Sequence, residues 1–151
     1  MVSLANRSNE AALAVRPVAD LAGYGAVFSP DSATVAYLKI TPSPELNAAA
    51  AVVGRAPAAE RALRRAMLNN RLAATSTIAL RDLASGRETA IAVENPAKAS
   101  LVMGPGGAVF FSGAEAAAGA PQQIYRASDA RAASAITSGA GDKTPVLVNA
   151  S

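Results

Sequence analysis

Gly25-Ala26-Val27-Phe28, Ser29-Pro30-Asp31-Ser32 and Thr34-Val35-Ala36-Tyr37-Leu38-Lys39-Ile40 form the stretch whose reading decides the fold. The first four residues are apolar or small and read as a short strand. Pro30 sets φ for a turn, and Asp31 can accept bonds from the backbone beyond it. The run that follows is rich in β-branched and aromatic residues, so the whole reads as a β-hairpin.

The same unit recurs later in the chain. Ser100-Leu101-Val102-Met103 runs into Gly104-Pro105-Gly106-Gly107 and then Ala108-Val109-Phe110-Phe111, with a turn one residue shorter. Each hairpin is followed by a second half. Ser76-Thr77-Ile78-Ala79-Leu80-Arg81-Asp82-Leu83 leads through Ala84-Ser85-Gly86-Arg87 to Glu88-Thr89-Ala90-Ile91. Gln122-Gln123-Ile124-Tyr125-Arg126-Ala127 leads through Ser128-Asp129-Ala130-Arg131 to Ala133-Ser134-Ala135-Ile136-Thr137. Two four-stranded units are therefore expected at residues 24–92 and 99–138, after a leader at 1–23. The second unit has the length of about 40–45 residues usual for a propeller blade. Residues 139–151, from Asp142 to Val148 above all, read as the start of a third.

Residues 41–74 are surplus to the first unit. Thr41-Pro42-Ser43-Pro44 breaks the strand. Pro57 suits a first helical turn, Glu60 precedes Arg64 by four, and Leu63 and Met67 make a narrow apolar stripe. A helix is predicted over 57–72, with Arg61, Arg64 and Arg65 facing outward.

Composition bounds the chemistry. The chain has 151 residues, enough for one ordinary domain. Of its 77 hydrophobic residues 39 are alanine, so 38 larger side chains must build the core. That favours small packed layers over one deep core. There is no His and no Cys, which removes the His-dependent nucleophile systems, the usual zinc, iron–sulfur and haem ligands, and disulfides.

The net charge of +3 is concentrated. Arg55, Arg61, Arg64, Arg65 and Arg71 face Glu60 alone within residues 55–72, and no aromatics are interleaved with them. Nucleic acid is therefore not an expected partner. Asn6, Arg7, Asn9, Glu10 and Arg16 interrupt any apolar run at the start, and no stretch reaches membrane-helix length. As written the chain is expected in the cytoplasm with no membrane partner; a preceding export signal would place it in the periplasm or outside the cell.

At this point the residues resemble a family. Val27-Phe28-Ser29-Pro30-Asp31-Ser32 with Val35-Ala36-Tyr37 is similar to the F-S-P-D-G…A-Y signature of WD-repeat-like blades. Such blades occur in TolB-type proteins and in the N-terminal propellers of prolyl oligopeptidase-family serine peptidases. Ile78-Ala79-Leu80-Arg81-Asp82-Leu83-Ala84-Ser85-Gly86 resembles the strand and turn that follow the signature, and Ile124-Tyr125-Arg126 through Ile136-Thr137-Ser138-Gly139 resembles the same half-blade. The leader Ala19-Asp20-Leu21 looks like the run-in to the peptidase propellers. Ser32 stands where the family has Gly, and Gly104-Pro105-Gly106-Gly107 lacks its Ser and Asp.

The resemblance implies an all-β partial propeller of about two blades with a helical insertion in the first. It implies a propeller that filters substrates over a separate hydrolase domain, or one that docks proteins. The family's catalytic Ser, Asp and His lie in the hydrolase domain, and no G-x-S-x-G elbow is present here. No catalytic, cofactor-binding or metal residue is carried over, and no cofactor is expected.

Other candidates have plainer readings. Gly104-Pro105-Gly106-Gly107 lacks the Lys-Ser/Thr of a phosphate loop and is expected to be a turn. Residues 113–120 read as a flexible connection. The Arg61/Arg64/Arg65/Arg71 cluster could hold phosphates or an acidic partner, but reads as a solvated helix face. Asp31, Asp82 and Asp129 read as turn caps rather than calcium ligands. Phe28, Tyr37, Phe110, Phe111 and Tyr125 could form a carbohydrate or peptide platform, but read as core.

The expected function is that of a non-catalytic propeller segment, most simply the substrate-gating part of a prolyl oligopeptidase-type peptidase. Its partner would be the hydrolase domain of the parent, through which it meets peptide substrates. The alternative is a TolB-like interaction propeller with a protein partner. A third reading is a short unit that self-associates through open blade edges. Ending within an apparent strand, Val146-Leu147-Val148, favours a chain that continues.

Overall fold

The computed structural model describes residues 20–91, 97–115, 119–127 and 133–146. Strands β1 (Gly23–Phe28), β2 (Thr34–Lys39), β3 (Thr77–Asp82) and β4 (Glu88–Ile91) form one antiparallel sheet in chain order. Strands β5 (Ala97–Met103), β6 (Val109–Ala114), β7 (Gln123–Ala127) and β8 (Ala133–Ala135) form a second in the same order. Helices α1 (Pro44–Arg55) and α2 (Ala58–Thr75) stand between β2 and β3. The chain is thus mostly sheet, with a helical hairpin inserted in the first half. Neither helix is long and apolar enough to cross a membrane.

The two leading hairpins share one register. Gly23 pairs with Lys39, Tyr24 with Leu38, Val27 with Ala36 and Phe28 with Val35. In the second sheet Lys98 pairs with Gly113, Ala99 with Ser112, Val102 with Phe110 and Met103 with Val109. A bulge interrupts both ladders at the same point, and each contains a residue at positive φ, Gly25 at 66° and Ser100 at 50°. The repeat read from the turns therefore extends to the pairing of the strands.

The turns form as their residues dictate. Ser29 Oγ donates to Asp31 Oδ1 at 2.6 Å, and the same hydroxyl accepts from Thr34 N at 2.9 Å. Ser32 sits at φ 58°, where the resembled family places Gly. In the β3–β4 turn Ser85 N and Oγ both donate to Asp82 Oδ1, at 2.7 and 2.6 Å. Pro105–Gly107 makes a tight turn in left-handed rather than helical geometry, with Gly106 at φ 68° and Gly107 at 77°. Gly104 must be glycine for another reason: a Cβ there would lie 2.8 Å from Phe110 Cε2.

One apolar layer lies between the sheets. Ala36, Leu38, Ile78 and Ile91 of the first sheet pack on Leu101, Met103, Val109, Phe111, Tyr125 and Ala127 of the second. The Phe111 and Tyr125 rings stack with centroids 5.5 Å apart. Each large side chain buried this way contributes about 1.5–3 kcal/mol. This is the thin layer that an alanine-rich composition allows.

Three expectations need correction. The insertion holds two helices, not one over 57–72. Ser43 caps α1 by accepting from Leu46 N at 3.2 Å, with Pro44 at the first helical position, while Pro57 precedes α2 as its cap residue. The Leu63/Met67 stripe does not pack inward: the two side chains are 67% and 64% exposed, and α2 has no buried residue. Phe28 is 54% exposed and is not core, whereas Tyr37, Phe111 and Tyr125 are buried and Phe110 is half-buried.

Smaller differences concern boundaries. Gly113 and Ala114 belong to β6 rather than to a connection, and β5 starts at Ala97. Strand β8 stops at Ala135, although Ile136 N still donates to Ile124 O at 2.8 Å. Residues 142–146 carry no strand. The leader before Asp20, the turn holding Asp129, and Leu147 and Val148 lie outside the described residues.

A buried lysine ties the helical hairpin to the sheets. Lys98, fully buried at the start of β5, donates from Nζ to Ala74 O in the last turn of α2 at 3.4 Å. A cation there satisfies a helix-terminal carbonyl and complements the helix dipole. Burial pulls the Lys98 amine below its ordinary value.

Candidate interaction surfaces

Corresponding positions of the two sheets have different surroundings. Leu38 faces Ile78, Ala36 faces Leu80, and Ile78 faces Ile91 across the first sheet. Ser112 faces Ile124 and Phe110 faces Arg126 in the second, with Ile136 bonded beside Ile124. Ala36, Leu38, Ile78 and Ile91 are thus matched by Phe110, Ser112, Ile124 and Ile136. The first four are buried against the second sheet. Their counterparts turn away from that layer, since Val109, Phe111 and Tyr125 point into it.

Ser112 is itself fully buried, its hydroxyl donating to Ala99 O at 3.2 Å, while the rest of that face borders an apolar groove of about 390 Å³, lined by Val102, Phe110, Ile124, Ile136, Pro145 and Val146 among others. Ile136 is 53% exposed. Polar contacts hold its border: Ile124 N donates to Thr137 Oγ1 at 2.9 Å, Gln122 N to Asp142 Oδ1 at 2.8 Å, and Lys143 N to Gln122 O at 2.9 Å.

The insertion forms a second surface. Ala49, Val52, Val53, Met67 and Leu68 line a cleft of about 290 Å³ between α1 and α2, with Arg64 and Arg71 at its rim. Arg64 bonds Glu60 through Nε and Nη2 at 3.0 and 2.8 Å, and Arg61 Nη2 donates to Ala56 O at 3.2 Å. Arg61, Arg64, Arg65 and Arg71 are all exposed, as the sequence suggested.

At the opposite end, the Ser29–Asp31 and Gly104–Gly107 turns flank a cleft of about 370 Å³. Its carboxylate is committed locally. The Ser29 hydroxyl and then the Ala33 amide hold Asp31 below its ordinary value, and Ser85 does the same for Asp82. Both are turn caps, as expected. Among the described residues no three His, Cys, Asp or Glu cluster as a metal site would require.

Sequence reading missed one polar cluster. The buried Tyr37 hydroxyl donates to Glu88 Oε2, and Lys39 Nζ donates to Glu88 Oε1. Burial first, and the Glu88 bond second, push Tyr37 up to about 12, while Lys39 and Tyr37 hold Glu88 below its ordinary value. The residues lie 51 and 49 positions apart, so no local motif announces the cluster.

No protein-family model, no curated protein and no solved structure matches the chain.

Proposed function

We propose that the chain is a non-catalytic part of a β-propeller, in which further four-stranded blades stack on the open face of the second sheet. The observation that carries this reading is the displaced repeat. The positions that bury the first sheet against the second recur on the second sheet's outer face, as Phe110, Ser112, Ile124 and Ile136. A repeat whose front face fits the back of the next unit continues until the ring closes, which takes about four to eight blades.

Within that architecture, the Ser-Pro-Asp signature fits both resembled families, and the Ala19-Asp20-Leu21 leader before it favours the N-terminal, substrate-gating propeller of a prolyl oligopeptidase-type serine peptidase. Its work would be steric: a ring over a distant catalytic centre admits only peptides small or unfolded enough to pass, and the helical hairpin decorates its rim. The second reading is a TolB-like interaction propeller, favoured by the exposed helical hairpin.

Reading the coding frame through and beyond Ser151, then labelling the complete product with a fluorophosphonate probe, tests the assignment. Further blades, a G-x-S-x-G domain with a His, and covalent labelling support the peptidase. Further blades with neither domain nor labelling support the interaction propeller. A stop codon directly after Ser151 overturns both and leaves a self-assembled ring.

A further inference from the structure

The helical hairpin combines three properties that its packing does not use. First, it carries the chain's whole charge imbalance. Arg55, Arg61, Arg64, Arg65 and Arg71 against Glu45 and Glu60 give +3 over residues 44–75, equal to the net charge of the full chain. Second, it keeps large apolar side chains in solvent: Val52 is 47% exposed, beside Leu63 and Met67. Third, only Leu46 and Ala56 of the hairpin are buried, so the sheets do not require its length. A polar helix with little packing of its own commonly bridges to another body.

We infer that the cleft between α1 and α2 docks an acidic peptide segment of a protein partner, anchored by one bulky apolar side chain. Val52, Val53, Met67 and Leu68 form the apolar floor, and Arg64 and Arg71 stand where carboxylates flanking the anchor would lie. Charge complementarity selects the partner's sign, and the concave floor selects a side chain over a flat lipid surface. A positive field confined to one projecting hairpin also steers such a segment toward it. This inference does not depend on the number of blades or on the presence of a hydrolase domain.

The test uses the 151-residue chain and a fluorescein-labelled peptide of about 15 residues, rich in Glu and carrying a single central Leu. Anisotropy is read at low salt. The leucine peptide binds, and its Leu→Ser version of equal charge binds at least about tenfold more weakly. Met67→Asp and the double variant Arg64→Gln/Arg71→Gln each weaken binding by a similar factor. Both change exposed side chains, and circular dichroism verifies that each stays folded. Equal binding of the two peptides, indifference to both variants, or binding to phosphatidylserine vesicles but not to the peptide would each overturn the proposal.

Discussion

Ile124 occupies in the second sheet the place that Ile78 holds in the first. Ile78 lies between Leu38 and Ile91, and Ile124 between Ser112 and Ile136. Yet Ile78 is fully buried against the second sheet, whereas Ile124 looks into an open groove. One position thus has two environments: among the described residues a second sheet packs on Ile78 and none packs on Ile124.

That difference is measurable as stability. Ile78→Ala should cost about 2–5 kcal/mol in urea unfolding of the 151-residue chain, because it leaves a cavity in the apolar layer between the sheets. Ile124→Ala should cost under about 1.5 kcal/mol, because water already reaches the site. Equal losses would show that the outer face is packed.

The turn after β5 depends on a missing Cβ. Gly104→Ala places a methyl 2.8 Å from the Phe110 ring, and should cost about 1–3 kcal/mol. Phe110→Ala removes the obstacle, so the double variant should lose less than the two single losses added. Additive losses in a double-mutant cycle would refute the clash.

Two serines sit in left-handed conformation, Ser32 at φ 58° and Ser100 at φ 50°. Glycine relieves that strain at some cost in unfolded-state entropy, a net gain of about 0.5–1 kcal/mol per site. Ser32→Gly and Ser100→Gly should each raise the melting temperature. Gly25 already stands at the position equivalent to Ser100.

The Tyr37–Glu88–Lys39 cluster gives stability a defined pH dependence. Folding raises Tyr37 from 10.0 to about 12, so its contribution is whole below pH 10 and is lost as pH rises toward 12. Glu88 is lowered from 4.5, so its contribution is present above that value and is lost as pH falls through the folded value. Tyr37→Phe should flatten the alkaline limb and Glu88→Gln should shallow the acid limb, read as unfolding midpoints across pH. At pH 7, Tyr37→Phe should cost about 1 kcal/mol for the lost hydrogen bond.

The sheets were legible because turn chemistry is local. Ser29, Pro30, Asp31 and the Gly104–Gly107 run mark hairpins whatever the rest of the chain does. Helix α1 escaped reading because Ala48-Ala49-Ala50-Ala51 carries no apolar stripe, although Ser43-Pro44-Glu45 is a cap signal that could have found it. The exposure of Leu63 and Met67 was not legible, because periodicity shows that a helix has an apolar face and not what covers it. The Tyr37–Glu88 bond required strand register, which no short window of sequence contains. The displaced repeat was visible only once the pairing of both sheets was known.

The most direct test of a further sheet on the outer face uses the absence of cysteine from the chain. Ile136→Cys places one thiol on that face, and its rate of reaction with a soluble disulfide reagent reports access. The 151-residue chain should react as an exposed thiol, while the complete product of the coding frame should react at least about tenfold more slowly, because a following blade covers the site. Equal rates in the two proteins would contradict the propeller account.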